Sequence, residues 1–336
     1  MLRWIRNVAS LIVIIASLLV VAGLCYQGIE QYADARRFPV IGHLVSVGDY
    51  RLNINCTGQG SPTVILEAGL ASISLTWRQV QQGVATFTRV CSYDRAGYAW
   101  SESSPLPRTS LQIAKELHTL LTNAGEKPPY VLVGHSFGGL VVRAFNAIFS
   151  NEVVGMVLVE STHPDLSDRL PPSIKLASEN AQKQRERQVR YAPLLWRLGV
   201  TRFMARKEIE DPREDYDDRE IAFLSLQPRF IDAVTKEAGA LAESGAQVRA
   251  SGTLGDKPLI VLTAGEGFLG MPVQGKDLEN MRDIWINDLQ LQLARLSSKG
   301  KRIMIADSDH MIPLERPDAV VSAVKEVCTQ TNRSSG

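Results

Sequence analysis

VLVGHSFGGLVV, at residues 131–142, is the stretch that decides the fold of this chain. A β-branched apolar run ends in the pattern Gly-x-Ser-x-Gly, and an apolar run that suits a helix follows at once. This order predicts a strand, a sharp turn and a helix, with Ser136 at the apex of the turn. So tight a turn needs small flanking residues, which Gly134 and Gly138 supply. We interpret Ser136 as a nucleophile raised above the edge of a sheet, the alternative being a structural turn serine.

A nucleophilic serine needs a general base, and the chain has only five histidines from which to choose it. Two of them precede the turn and His135 belongs to it, whereas the expected chain order places the base after the serine. His310 lies in a polar loop after the strand-like run 301–306, and a base in the loop after the last strand can reach such a serine. His310 is therefore the predicted base, and His163 is the alternative.

The carboxylate that orients the histidine has two main candidates. Residues 153–159 form a buried strand pattern, and Glu160 stands at its carboxyl end, where catalytic groups collect in open parallel sheets. The next strand pattern, at 258–265, is followed by Glu266. Glu160 is the predicted acid and Glu266 the main alternative; the remaining candidates are Asp277, Asp307 and Asp309.

These motifs resemble those of the α/β-hydrolases of the esterase and lipase superfamily, over about residues 40 to 328. Residues 62–70 are similar to the family's third strand and oxyanion loop. Residues 91–101 are similar to its D-R-x-G-x-G-x-S loop, with Ala99 in place of a glycine. The resemblance implies that the backbone N–H groups of Leu70 and Phe137 bind an oxyanion.

The resemblance also implies the fold and the domain organisation. The expected fold is α/β, with a mostly parallel sheet of about eight strands flanked by helices. The hydrolase core would occupy residues 31–164 and 255–329, a helical cap residues 165–254, and a polar tail residues 330–336. Because caps of this superfamily cover the active site, Leu194, Trp196 and Phe203 are candidates for the substrate pocket. The alternative is that they hold the cap together.

Residues 1–30 differ in kind from the rest of the chain. The run Val8–Tyr26 carries no charge and suits a membrane-spanning helix, which needs about 20 apolar residues. A cleaved signal peptide is the competing interpretation, although its apolar region is normally shorter. We predict an uncleaved, single-pass signal anchor. Arg3 and Arg6 before the run favour a catalytic domain on the extracytoplasmic side, while Arg36 and Arg37 beyond it weaken that orientation. Secretion after cleavage is the alternative.

Four cysteines are too few for a disulfide framework in a chain of this length. In the strand order usual for the family, the strands that hold Cys56 and Cys91 are neighbours. An exported domain could therefore link them by a disulfide, and two free thiols are the alternative.

The composition argues against several other functions. With 336 residues, 45% of them hydrophobic, the chain can bury a large core without help from metals. A formal net charge of +1 leaves no electrostatic footprint for nucleic acid. The sequence has no glycine-rich nucleotide loop and no cysteine–histidine cluster spaced for zinc, so we expect neither a cofactor nor a metal.

The predicted activity is hydrolysis of a small or medium, apolar carboxylic ester through an acyl-serine intermediate. The expected partners are a small-molecule ester and, through the N-terminal helix, the membrane. A serine nucleophile argues against haloalkane dehalogenase and epoxide hydrolase chemistry, which the family performs with aspartate. On the same residues, hydrolysis of lactones, amides or carbon–carbon bonds and a haloperoxidase-like activity remain alternatives. A catalytically silent ligand-binding receptor is the alternative from another class.

Overall fold

In the computed structural model of this chain, the described residues are 1–210, 216–266 and 275–334. The predicted segments 165–254, 255–329 and 330–336 each include some residues outside these ranges.

The centre of the molecule is a sheet of eight strands. The strands are β1 His43–Ser46, β2 Arg51–Thr57, β3 Thr63–Glu67, β4 Val90–Tyr93, β5 Tyr130–His135, β6 Val153–Val159, β7 Leu259–Ala264 and β8 Gly300–Ile305. Their order is β1-β2-β4-β3-β5-β6-β7-β8. Strand β2 runs antiparallel to both of its neighbours, and the strands from β4 to β8 pair in parallel. The predicted fold class is confirmed.

The central strands are apolar along their whole length because helices cover both faces of the sheet. Every residue of β3, β5 and β7 is buried. One apolar cluster fills the space between the sheet and one layer of helices, and a second fills the opposite face. This double burial explains why the sequence shows continuous apolar runs here rather than alternation.

Helices flank the sheet and fill the long connection between β6 and β7. They are α1 Leu2–Arg37, α2 Arg78–Val84, α3 Ser110–Asn123, α4 Gly138–Ile148, α5 Leu166–Arg169, α6 Pro172–Arg197, α7 Val200–Glu210, α8 Tyr216–Ser225, α9 Pro228–Gly239, α10 Leu241–Arg249, α11 Lys276–Ile284, α12 Gln290–Ala294, α13 Ile312–Glu315 and α14 Pro317–Ser334. A π-helix, Trp285–Leu289, joins α11 to α12, and 3₁₀ turns occupy Ser74–Trp77 and Ser150–Glu152. Helices α3, α4, α10 and α12 pack on one face of the sheet, and α2 and α14 on the other.

Helix α1 precedes the sheet and differs in composition from the other helices. Among the described residues it is the one helix long and apolar enough to cross a membrane, judged by length and composition. Most of its large apolar side chains are exposed.

Cys56 and Cys91 face each other in the antiparallel register of β2 and β4 and are joined by a disulfide bond. The alternative of two free thiols is therefore not found. Of the other two cysteines, Cys25 is exposed on α1 and Cys328 is buried on α14.

Candidate active site

Ser136 occupies the apex of the turn between β5 and α4. Its φ of 50° lies in the left-handed region, which a residue with a side chain adopts only when its surroundings impose it. The neighbouring strand β6 supplies that constraint. The Ser136 N–H donates to the Val159 carbonyl at 3.0 Å, and the Ser136 carbonyl accepts from the Thr162 N–H at 2.9 Å. The strained turn lifts the hydroxyl clear of the sheet.

The two glycines of the turn are required by close backbone contacts. A Cβ added at Gly134 would lie 2.7 Å from the Gly138 carbonyl oxygen, and one at Gly138 would lie 2.5 Å from the Glu67 carbonyl oxygen. The turn is therefore pressed against its own helix and against the end of β3, as the sequence pattern predicts.

His310 lies in the loop that follows β8, with its ring between two of the other predicted residues. Its Nε2 lies 3.0 Å from Ser136 Oγ, and its Nδ1 lies 3.4 Å from Glu160 Oε2. A proton on Nδ1 directs that nitrogen to the carboxylate and leaves Nε2 to accept from the serine hydroxyl. The structure thus brings Ser136, His310 and Glu160 into one line of contacts.

Glu160 begins the loop after β6 and is fully buried, with a φ of 44°. Its Oε1 accepts from the Ala264 N–H at 2.7 Å, and its Oε2 accepts from Trp285 Nε1 at 2.8 Å. These two donors fix the plane of the carboxylate with Oε2 facing the His310 ring. Trp285 lies on the π-helix, and no sequence pattern pointed to its role.

The alternative acids lie elsewhere. Glu266 is exposed, and within the described ranges its carboxylate makes no hydrogen bond to His310. Asp307 pairs with Arg316 at 2.5 Å, while Asp309 Oδ1 accepts from the Met311 N–H at 2.6 Å. Asp277 accepts a hydrogen bond from the Ser173 hydroxyl.

The alternative base, His163, is buried in the loop after β6. Its Nδ1 accepts a hydrogen bond from the Asp165 N–H at 3.1 Å, and burial lowers its pKa to about 4. The loop after β6 therefore holds a neutral His163 ring whose Nδ1 is already engaged by the backbone.

His135, the residue before the serine, has a role that no sequence pattern indicated. The ring is buried and packs edge-on against Trp77, with ring centroids 6.3 Å apart. Its Nε2 lies 2.8 Å from the backbone carbonyl oxygen of His310 and must donate to it, because a carbonyl only accepts. Burial and the nearby His310 lower the pKa of His135 to about 3, which keeps the ring neutral. The side chain therefore fixes the backbone that carries His310.

The predicted oxyanion loop touches the serine turn. A Cβ added at Gly69 would lie 2.9 Å from His135 Nδ1 and 3.2 Å from Ser136 Cβ, so only a glycine allows this approach. In the part of the chain that the structure describes, the N–H groups of Leu70 and Phe137 have no hydrogen-bond partner. Phe137 precedes the first residue of α4, where the helix dipole favours a negative charge.

A buried cluster of charged side chains contacts the backbone of this loop. Arg95 donates to the carbonyl oxygens of Ala68 and Gly69, both at 2.7 Å. The same guanidinium pairs with Glu67 at 2.8 Å and with Glu237 of α9 at 3.0 Å. All three charged side chains are buried, so the pairing is needed to offset the loss of hydration. Helix α9 is thereby tied to the loop that carries the Leu70 N–H. No sequence pattern pointed to Glu237.

The predicted pocket residues lie away from Ser136. Leu194 and Phe203 are both 57% exposed on the outer surface of the α6–α7 region. Trp196 lines a cavity of about 570 Å³ between the carboxyl end of α1, helices α6 and α8, and Trp100. The lining of this cavity does not include Ser136, Glu160 or His310. Their apolar character made these residues candidates, but the sequence did not show which of them point outward.

One grouping of possible metal ligands occurs among the described residues, formed by Cys56, Cys91 and Glu126. The two sulfurs are joined in the disulfide and cannot act as thiolate ligands.

The chain belongs to the alpha/beta hydrolase family, whose model matches residues 61–323. A curated relative, an uncharacterised protein YqjL of Bacillus subtilis, is 35% identical over 111 residues, which are 33% of this chain and 43% of the relative. The chain spans less than half the length of the first curated relatives that it matches, 20% and 43%.

Solved structures share the fold. A thermophilic esterase from Thermogutta terrifontis has a TM-score of 0.60 at 21% identity, covering 86% of this chain and 98% of the esterase. An epoxide hydrolase, CorEH, has a TM-score of 0.62 at 18% identity, covering 85% of this chain and 97% of the other.

Proposed function

We propose that this protein is a serine hydrolase that cleaves a small or medium, apolar carboxylic ester. The observation that carries the proposal is the unbroken series of contacts from Ser136 Oγ to His310 Nε2 and from His310 Nδ1 to Glu160 Oε2, at 3.0 and 3.4 Å. Each residue type is the one that its place in such a series needs.

The reaction begins when His310 Nε2 accepts the Ser136 proton as Oγ attacks the ester carbonyl. Glu160 stabilises the imidazolium that forms and keeps the ring in the required tautomer. The Leu70 and Phe137 N–H groups donate to the oxyanion, and the protonated ring then gives its proton to the leaving alcohol. A water activated by the same ring releases the acid from the acyl-serine. Backbone N–H groups without a partner suit a developing negative charge better than a neutral carbonyl.

The serine at position 136 favours ester hydrolysis over epoxide opening, although an epoxide hydrolase shares the fold. Attack by a serine alkoxide on an sp² carbonyl produces the oxyanion that the Leu70 and Phe137 amides can bind. Hydrolysis of a lactone or an amide would use the same steps, and a lactone is itself a cyclic ester.

A fluorophosphonate probe tests the mechanism. Wild-type protein should be labelled covalently at Ser136, and Ser136→Ala should not be labelled. Turnover of p-nitrophenyl esters of rising acyl length then measures the substrate class. Labelling of Ser136→Ala to the wild-type extent would refute the assignment, and so would an unlabelled wild-type protein that binds ligands without turnover.

We further propose that α1 is a single-pass anchor with the hydrolase core, its cap at 165–254 included, on the extracytoplasmic side. The apolar helix and the Cys56–Cys91 disulfide both support this placement, because disulfides persist mainly in oxidising compartments. Full-length protein should stay with membranes after carbonate extraction. A mature chain that begins after Gly23 or Cys25, detected by mass spectrometry, would overturn the anchor.

A further inference from the structure

The carboxyl-terminal part of α1 packs against the turn between α6 and α7 through direct backbone contact. A Cβ added at Gly23 would lie 2.4 Å from the Leu198 carbonyl oxygen. A Cβ added at Gly199 would lie 2.8 Å from Tyr26 Cδ1. Two glycines therefore allow the helix and the turn to touch, and this approach fixes the depth of the turn along α1.

A buried ion pair secures the same contact further along α1. Arg202 of α7 is fully buried, and its guanidinium reaches Asp34 Oδ1 at 2.8 Å and Glu30 Oε2 at 3.2 Å. Asp34 is also buried. Since separating a buried pair leaves uncompensated charges, α7 and α1 are held together as one unit.

This contact places the α6–α7 turn at the boundary of the bilayer that would surround α1. At about 1.5 Å per residue, the uncharged run Val8–Tyr26 is roughly 28 Å long, close to the hydrocarbon thickness of about 30 Å. Gly23 lies three residues before the end of this run, or about 5 Å inside it. The Leu198–Gly199 turn therefore lies where acyl chains meet headgroups.

The surface around that turn is apolar and exposed. We call residues 191–204 the hairpin tip. Its large exposed side chains are Tyr191, Leu194, Leu195, Val200, Phe203 and Met204. Met204 is 77% exposed, and several of its apolar neighbours are exposed as well. Such a group of exposed apolar side chains is unusual on a protein surface. Four of these side chains, Tyr191, Leu195, Val200 and Met204, also line an open groove of about 590 Å³.

Basic side chains accompany the apolar ones. Arg187, Arg190 and Arg197 are exposed along α6. The Arg206 guanidinium lies over the Phe203 ring, 4.0 Å from its centroid. Apolar side chains beside arginines form the pattern of a surface that lies in the membrane interface, where arginines meet phosphates.

We propose that the hairpin tip is a membrane-docking surface whose occupant is the bilayer that holds α1. Its apolar side chains enter the acyl boundary, and Arg197, together with the flanking Arg187, Arg190 and Arg206, contacts anionic headgroups. The proposal rests on the anchor role of α1 proposed above and holds the region between β6 and β7 at the membrane. Esters dissolved in the bilayer would thus be concentrated beside the enzyme.

Depth-dependent fluorescence quenching tests the docking surface in the full-length chain. In a Cys25→Ser background, Leu194→Cys and Phe203→Cys are each labelled with a polarity-sensitive fluorophore and reconstituted in vesicles of phosphatidylcholine and phosphatidylglycerol. Ser322→Cys, at an exposed position on α14, is the matched control. The two tip labels should shift to shorter wavelengths and be quenched at least about twofold more strongly by doxyl lipids than the control label.

Three results would overturn the proposal. The tip labels could be quenched no more than the Ser322→Cys label. They could be shielded from aqueous iodide yet not quenched by lipid, which would indicate a protein contact such as a second copy of the chain. The chain could also fail to float with vesicles, which would remove the anchor as well. Ester hydrolysis by the same variants in detergent, measured in parallel, separates failure of docking from failure of the proposed function.

Discussion

Replacing Glu160 by glutamine tests the acid assignment with almost no change in size. The carboxylate of Glu160 accepts from Ala264 N–H and Trp285 Nε1 and faces His310 Nδ1, so all three of its neighbours are donors. An amide has one accepting oxygen, and its NH₂ must then face one of those donors. The substitution therefore removes the charge that stabilises the imidazolium and also breaks at least one hydrogen bond.

The magnitude follows from these contacts. Loss of a triad carboxylate costs on the order of 10⁴ in turnover in the serine-protease case, or about 5.5 kcal/mol of activation free energy. We expect kcat of Glu160→Gln to fall by at least about a hundredfold, allowing for partial compensation by water. Leaving a buried donor without a partner should also lower the free energy of unfolding by about 1–3 kcal/mol.

Glu266→Gln is the matched control, because Glu266 follows the neighbouring strand but is exposed. Its kcat should change by less than about tenfold, since an exposed carboxylate interacts weakly through water. The assay is p-nitrophenyl ester hydrolysis at saturating substrate, with circular dichroism to confirm folding. A crippled Glu266→Gln beside an active Glu160→Gln would refute the assignment.

The Ser136–His310 pair, the ion pair between Arg95 and Glu237, and the buried ring of His135 can each be tested by substitution. Ser136→Ala and His310→Ala should each abolish most turnover, and the double variant should be little worse, because the losses caused by residues that act as a unit are not additive. Near-normal ester hydrolysis by either single variant would contradict the mechanism. Glu237→Gln should lower the free energy of unfolding by about 3–5 kcal/mol and reduce kcat, because it leaves Arg95 partly uncompensated beside the oxyanion loop. Asp232→Asn, on the same helix and exposed in its pair with Lys236, should change neither quantity. If the two variants had equal effects on denaturation and on kcat, the link between Glu237 and the oxyanion loop would be disproved. The pKa of His135 falls from 6.5 to about 3 on folding, so its contribution to stability is complete above pH 6.5 and declines as the pH falls towards 3. Between pH 7 and 5 the wild type should therefore lose about 2 kcal/mol more than His135→Asn in urea unfolding, and parallel profiles would show that His135 is not buried as a neutral ring.

The sequence by itself determined the features that depend on short stretches of chain. The strand–turn–helix at 131–142 follows from an apolar run and from a serine flanked by two glycines, all within a dozen residues. The backbone of that serine adopts the left-handed conformation. Continuous apolar runs predicted the doubly covered strands, because a strand buried on both faces needs no alternation. The uncharged run of α1 was equally visible, since its length and composition are local properties.

Only the tertiary structure decided which distant side chains meet. Glu160 and Glu266 both follow strand ends, and the chain order does not say which of them faces His310, 150 residues from Glu160. The hydrogen bond from His135 to the His310 carbonyl joins residues 175 positions apart. The ion pair between Arg95 and Glu237 joins residues 142 positions apart. Leu194 and Phe203 are exposed although they are apolar. The sequence could not show this, because the hydrophobic pattern of a helix does not identify what the apolar face contacts. Local propensity fixes the elements, whereas such contacts depend on how the elements pack, and packing is a property of the whole chain.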